Sequence, residues 1–239
     1  MNSSIRLLGC IWFTLVLNAT AASPSPQPST ARSQVEKLGE HTYRVGALLV
    51  DTARRDVTVP GTLNDVTTVE FIANAKDGAK AYESAVTLDT DAISFNAALL
   101  LIGLDPARSR PSKVQFDPIA PEGDPVELWI DLPGGDKTRR VQIEEILFDQ
   151  GTKKTIPAGP WVYAGSTFVT TSDGPKFLAE ADGVLIGLMH GPSAIIDNPR
   201  NDLLGRFGAI ILNPKLVKAG MNVSLTIRAL PLPGRPKPK

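Results

Sequence analysis

The stretch Val126-Glu127-Leu128-Trp129-Ile130-Asp131-Leu132 decides the fold class. Apolar and polar residues alternate along it, and side chains of a strand point to opposite faces in turn, so its apolar set shares one face. Residues 69–73 and 223–227 repeat the alternation, and residues 43–50 and 54–59 resemble a strand pair. An antiparallel sheet with one buried face is expected.

One segment has the pattern of a helix instead. Residues 92–103 carry Ile93, Ala97, Leu100 and Leu101 at helical spacing, with mostly apolar residues between them. Asp89, Thr90 and Asp91 supply a capping side chain and negative charge at its N-terminus. So little polar surface predicts a helix that is covered on nearly all sides. With a short helix at 144–148 and a turn at 193–197, the sequence predicts an α+β fold. In it, a mainly antiparallel β-sheet carries one well-buried helix and short accessory helices.

The N-terminus has the three parts of a secretory signal peptide, residues 1–21. Arg6 precedes the apolar run 7–17, and Ala19-Thr20-Ala21 suits cleavage after Ala21. The apolar run is shorter than the roughly 20 residues of a membrane-spanning helix. The protein is therefore expected to be periplasmic or secreted, with no membrane span after cleavage. Two alternatives are an uncleaved anchor and lipidation at Cys10, although most of the apolar run follows that cysteine.

Composition excludes several classes of site. Cys10 is the only cysteine, so cleavage leaves a mature chain with no thiol for disulfides, metal sites or nucleophiles. Basic and acidic residues number 25 each, and loss of Arg6 leaves 24 against 25, a net charge of −1. This balance does not favour nucleic acid or an anionic membrane as a partner.

The chain divides into a Pro/Ser-rich disordered linker at 22–34, a single globular domain at 35–230 and a basic, Pro-rich tail at 231–239. The tail is interpreted as solvated, and the alternative is an anchor to an acidic envelope polymer.

Several segments, in order, resemble the YdjY-like domain proteins, a family of exported bacterial proteins. They are Lys80-Ala81-Tyr82-Glu83-Ser84, residues 96–103, Trp161-Val162-Tyr163-Ala164-Gly165-Ser166 and residues 190–199. The resemblance implies no particular activity. This chain has Asn96 where the family often has a histidine, which argues against chemistry centred on that position. Some relatives are described as ferredoxin-like, but the mature chain lacks the cysteines that an iron–sulfur cluster needs, and no cofactor is expected.

The candidate site is the end of the apolar strand 184–189, where His190 enters the Gly191-Pro192 turn. Strand ends and the loops after them often present functional groups. The candidate binding residues, from this strand end and from the resemblance, are Lys80, Glu83, Ser84, Asn96, His190, Asp197 and Asn198.

The sequence leaves two functions open. The first is a non-enzymatic envelope module that binds a protein or a small ligand around Glu83, His190 and Asn198. The alternative is a cofactor-free hydrolase, with His190 as base, Asp197 orienting it and Ser84 as nucleophile. No Gly-x-Ser-x-Gly motif exposes a serine, no catalytic residue is assigned, and residues 197–199 also have the composition of an ordinary turn.

Metal and aromatic sites have simpler explanations. His41 and His190 are the only histidines, and neither has a partner at ligand spacing, so no metal site is expected. Asp89 and Asp91 are explained by helix capping. Trp129, Trp161 and Tyr163 are interpreted as core residues, with an exposed recognition surface as the alternative.

Overall fold

A computed structural model describes residues 34–134, 137–172 and 174–232. The predicted signal peptide, all but one residue of the predicted linker and residues 233–239 of the tail lie outside the described residues. The domain boundaries at 35 and 230 stay predictions. Among the described residues, no helix has both the length and the apolar character needed to span a membrane.

The strands in the first half of the described chain are Val35–Lys37 (β1), Thr42–Val45 (β2), Leu48–Asp51 (β3), Asp56–Leu63 (β4), Phe71–Ala75 (β5), Ser84–Leu88 (β6), Asp124–Gly134 (β7) and Lys137–Gln142 (β8). Those in the second half are Leu147–Asp149 (β9), Lys154–Thr155 (β10), Trp161–Tyr163 (β11), Phe168–Thr171 (β12), Gly174–Phe177 (β13), Val184–Gly187 (β14), Ile196–Asp197 (β15), Ile210–Leu212 (β16) and Asn222–Ala229 (β17). The α-helices are Ala92–Leu101 (α1) and Leu178–Asp182 (α2).

Eight of these strands form a closed sheet. The order β4-β17-β7-β11-β15-β14-β5-β6 returns to its start because β4 pairs with β17 on one side and with β6 on the other. Gly61 pairs on both sides, and a Cβ there would lie 2.6 Å from the carbonyl oxygen of Thr87. Glycine at this position therefore lets β6 approach and close the barrel.

The alternation predicted for β7 is present along the whole strand. Val126, Leu128, Ile130 and Leu132 are buried in the hydrophobic core, while Glu127 and Asp131 lie on the outer, partly exposed face. Neighbouring β17 alternates in the same register, since Leu225 pairs with Ile130 and Ile227 with Leu128. The antiparallel core predicted from residues 126–132 is confirmed for these strands.

The predicted α+β class with a well-buried helix is wrong, because the described residues are mostly β and their sheet closes on itself. Helix α1 packs one face on β2 and β3 through residues such as Phe95 and Leu99. Its other face is open, with Ile93 51% and Leu100 42% exposed. Some of the apolar side chains around this helix are therefore exposed to solvent.

Three local predictions also change. Residues 43–50 form a hairpin, β2 with β3, rather than one strand of a pair. The predicted helix at 144–148 is a 3₁₀ turn, Ile143–Ile146, followed by β9, and the predicted turn at 193–197 ends in β15.

Candidate functional site

His190 lies just beyond β14 and is completely buried. Its Nδ1 is 2.7 Å from the carbonyl oxygen of Asp117. A carbonyl oxygen only accepts, so Nδ1 carries the hydrogen of this bond. Nε2 has no hydrogen-bond partner among the described residues.

Residues 111–119, here called the covering loop, lie over this histidine. The amide of Phe116 donates to the carbonyl oxygen of His190 at 2.7 Å. The Asp117 carboxylate accepts from the amides of Ile119 and Lys113, both at 2.9 Å, and these two bonds lower its pKa. Phe116 has φ +59°, a left-handed conformation that is uncommon for a bulky residue. Hydrogen bonds from both sides therefore hold the loop in one shape.

The outside of the covering loop carries three large apolar side chains. Val114, Phe116 and Ile119 are 58%, 41% and 57% exposed. Phe207, 62% exposed, packs edge-on against Phe116 with 5.9 Å between ring centroids. We call these four side chains the apolar crest. Single exposed apolar residues are ordinary, but three on one short loop, one of which contacts a fourth, concentrate exposed apolar surface as binding surfaces do.

Asp197 is buried beside the same strand end, but it does not orient His190. Its carboxylate accepts from the backbone amides of Asn198, at 2.8 Å, and Gly191, at 3.3 Å. Burial, which penalises the charged form, raises its pKa to about 8. A Cβ on Gly187 would lie 2.4 Å from Oδ1 of Asp197, so glycine provides the space for this carboxyl group.

Asn198 is also completely buried and links two chain segments. Its Nδ2 donates to the carbonyl oxygen of Leu188 at 3.1 Å, and its Oδ1 accepts from Nε of Arg200 at 2.7 Å. Arg200 lies over the ring of Trp161, whose Nε1 donates to buried Glu144 at 2.9 Å. These contacts give Asn198 a structural role.

Lys80, Glu83 and Ser84 form a separate cluster. Nζ of Lys80 is 2.8 Å from Oε1 of Glu83, and the hydroxyl of Ser84 donates to the carbonyl oxygen of Lys80 at 2.7 Å. The carboxyl of Glu70 contacts that of Glu83, and its pKa is raised first by burial and then by the charge of Glu83. The positive charge of Lys80 therefore partly offsets the negative charges of Glu70 and Glu83.

Asn96 has a third environment, on α1. Its Oδ1 accepts from the hydroxyl of Tyr163 at 2.7 Å, and burial raises the pKa of Tyr163 to about 12. Tyr163 and Trp161 are buried, as the core interpretation predicts, whereas Trp129 is partly exposed on the outer face of β7.

The predicted residues do not assemble into a hydrolytic site. Ser84 bonds to Lys80, Asp197 bonds to backbone amides, and His190 bonds to the backbone of Asp117. No hydrogen bond joins any two of the three side chains among the described residues. Nucleophilic catalysis needs a nucleophile within hydrogen-bond reach of its base, and this arrangement lacks that pair.

Sequence reasoning missed the covering loop, Phe207 and Glu70. One signal was available: Val114, Phe116 and Ile119 lie between Pro111 and Pro121, in a segment too rich in proline to be a regular strand or helix. Large apolar residues in such a loop either dock on the core or face a partner. Across the described ranges, no group of three or more His, Cys, Asp or Glu side chains could hold a metal ion.

Comparison with known families identifies the domain. The model of the YdjY domain covers residues 48–228, which confirms the resemblance found in the sequence. No curated protein and no solved structure matches the chain.

Proposed function

The chain belongs to the YdjY domain family, and we propose that it is a non-enzymatic module of an exported protein that binds a partner protein through the apolar crest. Export is supported by Arg6, the apolar run 7–17 and the small residues at 19–21. The partner is then a protein of the bacterial envelope or of its surroundings.

The exposure of the crest carries this proposal. Val114, Ile119 and Phe207 each leave more than half of their surface in water. Aromatic residues are enriched in the buried centres of protein interfaces, and charged residues surround them. Here Phe116 and Phe207 are in ring contact, and Lys113 and Arg206 directly precede Val114 and Phe207 in the chain. The crest therefore combines an aromatic contact with charged neighbours in sequence.

The covering loop also fixes the conformation of the apolar crest before a partner binds. Four backbone groups are fixed by hydrogen bonds, those of Phe116, Asp117, Lys113 and Ile119. A surface that is already ordered loses less conformational entropy on association. In this proposal, buried His190 has a positioning role, because it holds the loop from below through its side chain and its carbonyl oxygen.

Site-directed photocrosslinking tests this function. A photoreactive phenylalanine analogue in place of Phe207 is expected to crosslink one partner protein in cells that make the chain. The matched control is the same analogue at Phe168, an aromatic residue 69% exposed on β12. Val114→Asp in the Phe207 analogue should lower the crosslinked yield about tenfold or more, because a carboxylate in a buried interface centre is strongly unfavourable.

Two results would argue against the proposal. One is a crosslinked product of equal yield at positions 207 and 168, and the other is a yield at 207 that Val114→Asp leaves unchanged. Since Val114 is 58% exposed, this variant should keep the melting temperature of the parent, which excludes misfolding as the cause of a lost crosslink.

A further inference from the structure

The outer face of the barrel carries a polar groove that the proposed function does not use. Strand register aligns two rows across β3, β4 and β17, one through Asp51, Asp56 and Arg228, the other through Leu49, Thr58 and Thr226. A groove of about 280 Å³ lies over these rows, with Thr42, Arg54 and Arg140 also in its walls. The volume is close to the lower end, about 300 Å³, of small-molecule sites.

Charges in the groove are paired, which argues against a charged ligand. Oδ2 of Asp56 is 3.3 Å from Nε of Arg54 and 3.1 Å from an amino nitrogen of Arg228. Arg140 binds Asp131 through two parallel hydrogen bonds of 2.7 and 2.6 Å. An anion would meet Asp51 and Asp56, and a cation would meet the arginines, so the groove favours a neutral, polar ligand.

Several groups lining the groove keep hydrogen-bonding capacity. Oδ1 of Asp56, Oδ2 of Asp51 and one terminal nitrogen of Arg140 make no hydrogen bond with the described residues. The groove thus offers both hydrogen-bond acceptors and hydrogen-bond donors. A hydroxyl group both donates and accepts, and adjacent hydroxyls on a ring can satisfy such neighbours in pairs.

The position of the groove excludes the commonest way of binding an extended peptide. Peptides often add a strand to a free sheet edge, where backbone groups are unpaired. This groove lies on the face of β3, β4 and β17, and their backbones are paired with one another. Leu49, 45% exposed, adds one apolar wall that can pack against the carbon–hydrogen face of a ring.

We propose that this groove binds a short stretch of a neutral saccharide. Asp51 and Asp56 accept hydrogen bonds from its hydroxyls, Arg54 and Arg140 donate to them, and Leu49 packs against the ring. The site is separate from the apolar crest, so its variants and those of the crest test different claims.

Titration of the purified protein with neutral oligosaccharides, followed by the amide signals of the isotope-labelled chain, tests this inference. The probes are cellohexaose, maltohexaose, xylohexaose and chitohexaose, with inorganic phosphate as a charged comparison. At least one sugar should shift the amides of residues 49–58 and 224–228. Arg140→Ala should weaken that binding about tenfold, the expected loss of a charge-assisted hydrogen bond.

Arg139→Ala is the matched control, because Arg139 is the exposed neighbour on the opposite face of β8, paired with Leu132 rather than Asp131. It should leave the affinity for the sugar unchanged. The inference is overturned if none of the sugars shifts these amides, if phosphate shifts them instead, or if Arg140→Ala and Arg139→Ala bind the sugar equally well.

Discussion

Replacing Asp197 with asparagine is expected to flatten the pH dependence of the free energy of unfolding between about pH 4 and pH 8. The pKa of Asp197 rises from 3.8 to about 8 on folding, because its carboxyl group is buried. The folded chain therefore binds more protons than the unfolded chain in this range. The stability that Asp197 contributes is therefore fully present below pH 3.8 and is lost as the pH rises towards 8, by about 1.4 kcal/mol per pH unit or about 5 kcal/mol in total.

Urea denaturation at several pH values measures this slope. Asp197→Asn cannot ionise, so it should lose most of the slope that the native chain shows. At pH 4 it should be less stable than the native chain, since its amide nitrogen replaces one oxygen that accepts from Gly191 or Asn198. Asp65→Asn, at an exposed position, should keep the native slope. Equal slopes for the native chain and Asp197→Asn would show that Asp197 is ionised in the folded state.

Loss of the Glu144 carboxylate is expected to have an effect of similar size. Its Oε1 accepts from Nε1 of Trp161 at 2.9 Å and from the amide of Gly159 at 3.3 Å, and it lies 3.9 Å from Arg200. Glu144→Ala leaves these donors unpaired in the interior, and removal of one partner of a buried charge pair costs about 3–5 kcal/mol. Glu144→Gln keeps an oxygen acceptor and should lose about half as much.

The neighbouring residue provides the control. Glu145 is exposed and its carboxylate accepts from the amide of Gln142 at 3.3 Å, so Glu145→Ala should cost less than about 1 kcal/mol. Urea midpoints with unchanged slopes give these differences directly. If Glu144→Ala were no more destabilising than Glu145→Ala, the buried network from Glu144 through Arg200 to Asn198 would not stabilise the strand end.

The sheet was predictable from the sequence where strands have one buried face. Leu128 and Ile130 alternate with Trp129 and Asp131, and the structure buries the first pair. Closure was not predictable, because an open sheet and a closed barrel require the same alternation. The closing pair joins β4 to β6 at Gly61, and a single glycine does not identify its partner strand.

The helix shows a second limit of pattern reasoning. Of the three predicted capping residues, Asp91 caps α1, accepting from the amide of Ser94 at 2.7 Å. The residues at helical spacing also include Ile93 and Leu100, which the structure leaves exposed. Apolar character indicates what could be buried, but only the arrangement of neighbouring elements determines which face is covered.

At the candidate site, the sequence identified the strand end that the covering loop packs on, but not the exposed surface. His190, Asp197 and Asn198 do lie together beyond β14, yet all three are completely buried. The exposed surface comes from residues 111–119, about 75 positions earlier in the chain than His190. A contact over that separation depends on the tertiary fold, and no local pattern records it. By contrast, the Lys80–Glu83 pair is local in sequence and was among the predicted residues.

Hydrogen exchange of the chain, alone and bound to the partner identified by crosslinking at position 207, tests the central claim most directly. The account predicts that the amides of residues 113–119 and 205–208 exchange about tenfold more slowly in the complex, while those of β12 and β13 keep their rates. Protection of the β12–β13 hairpin or of the open face of α1, with residues 113–119 unchanged, would contradict it.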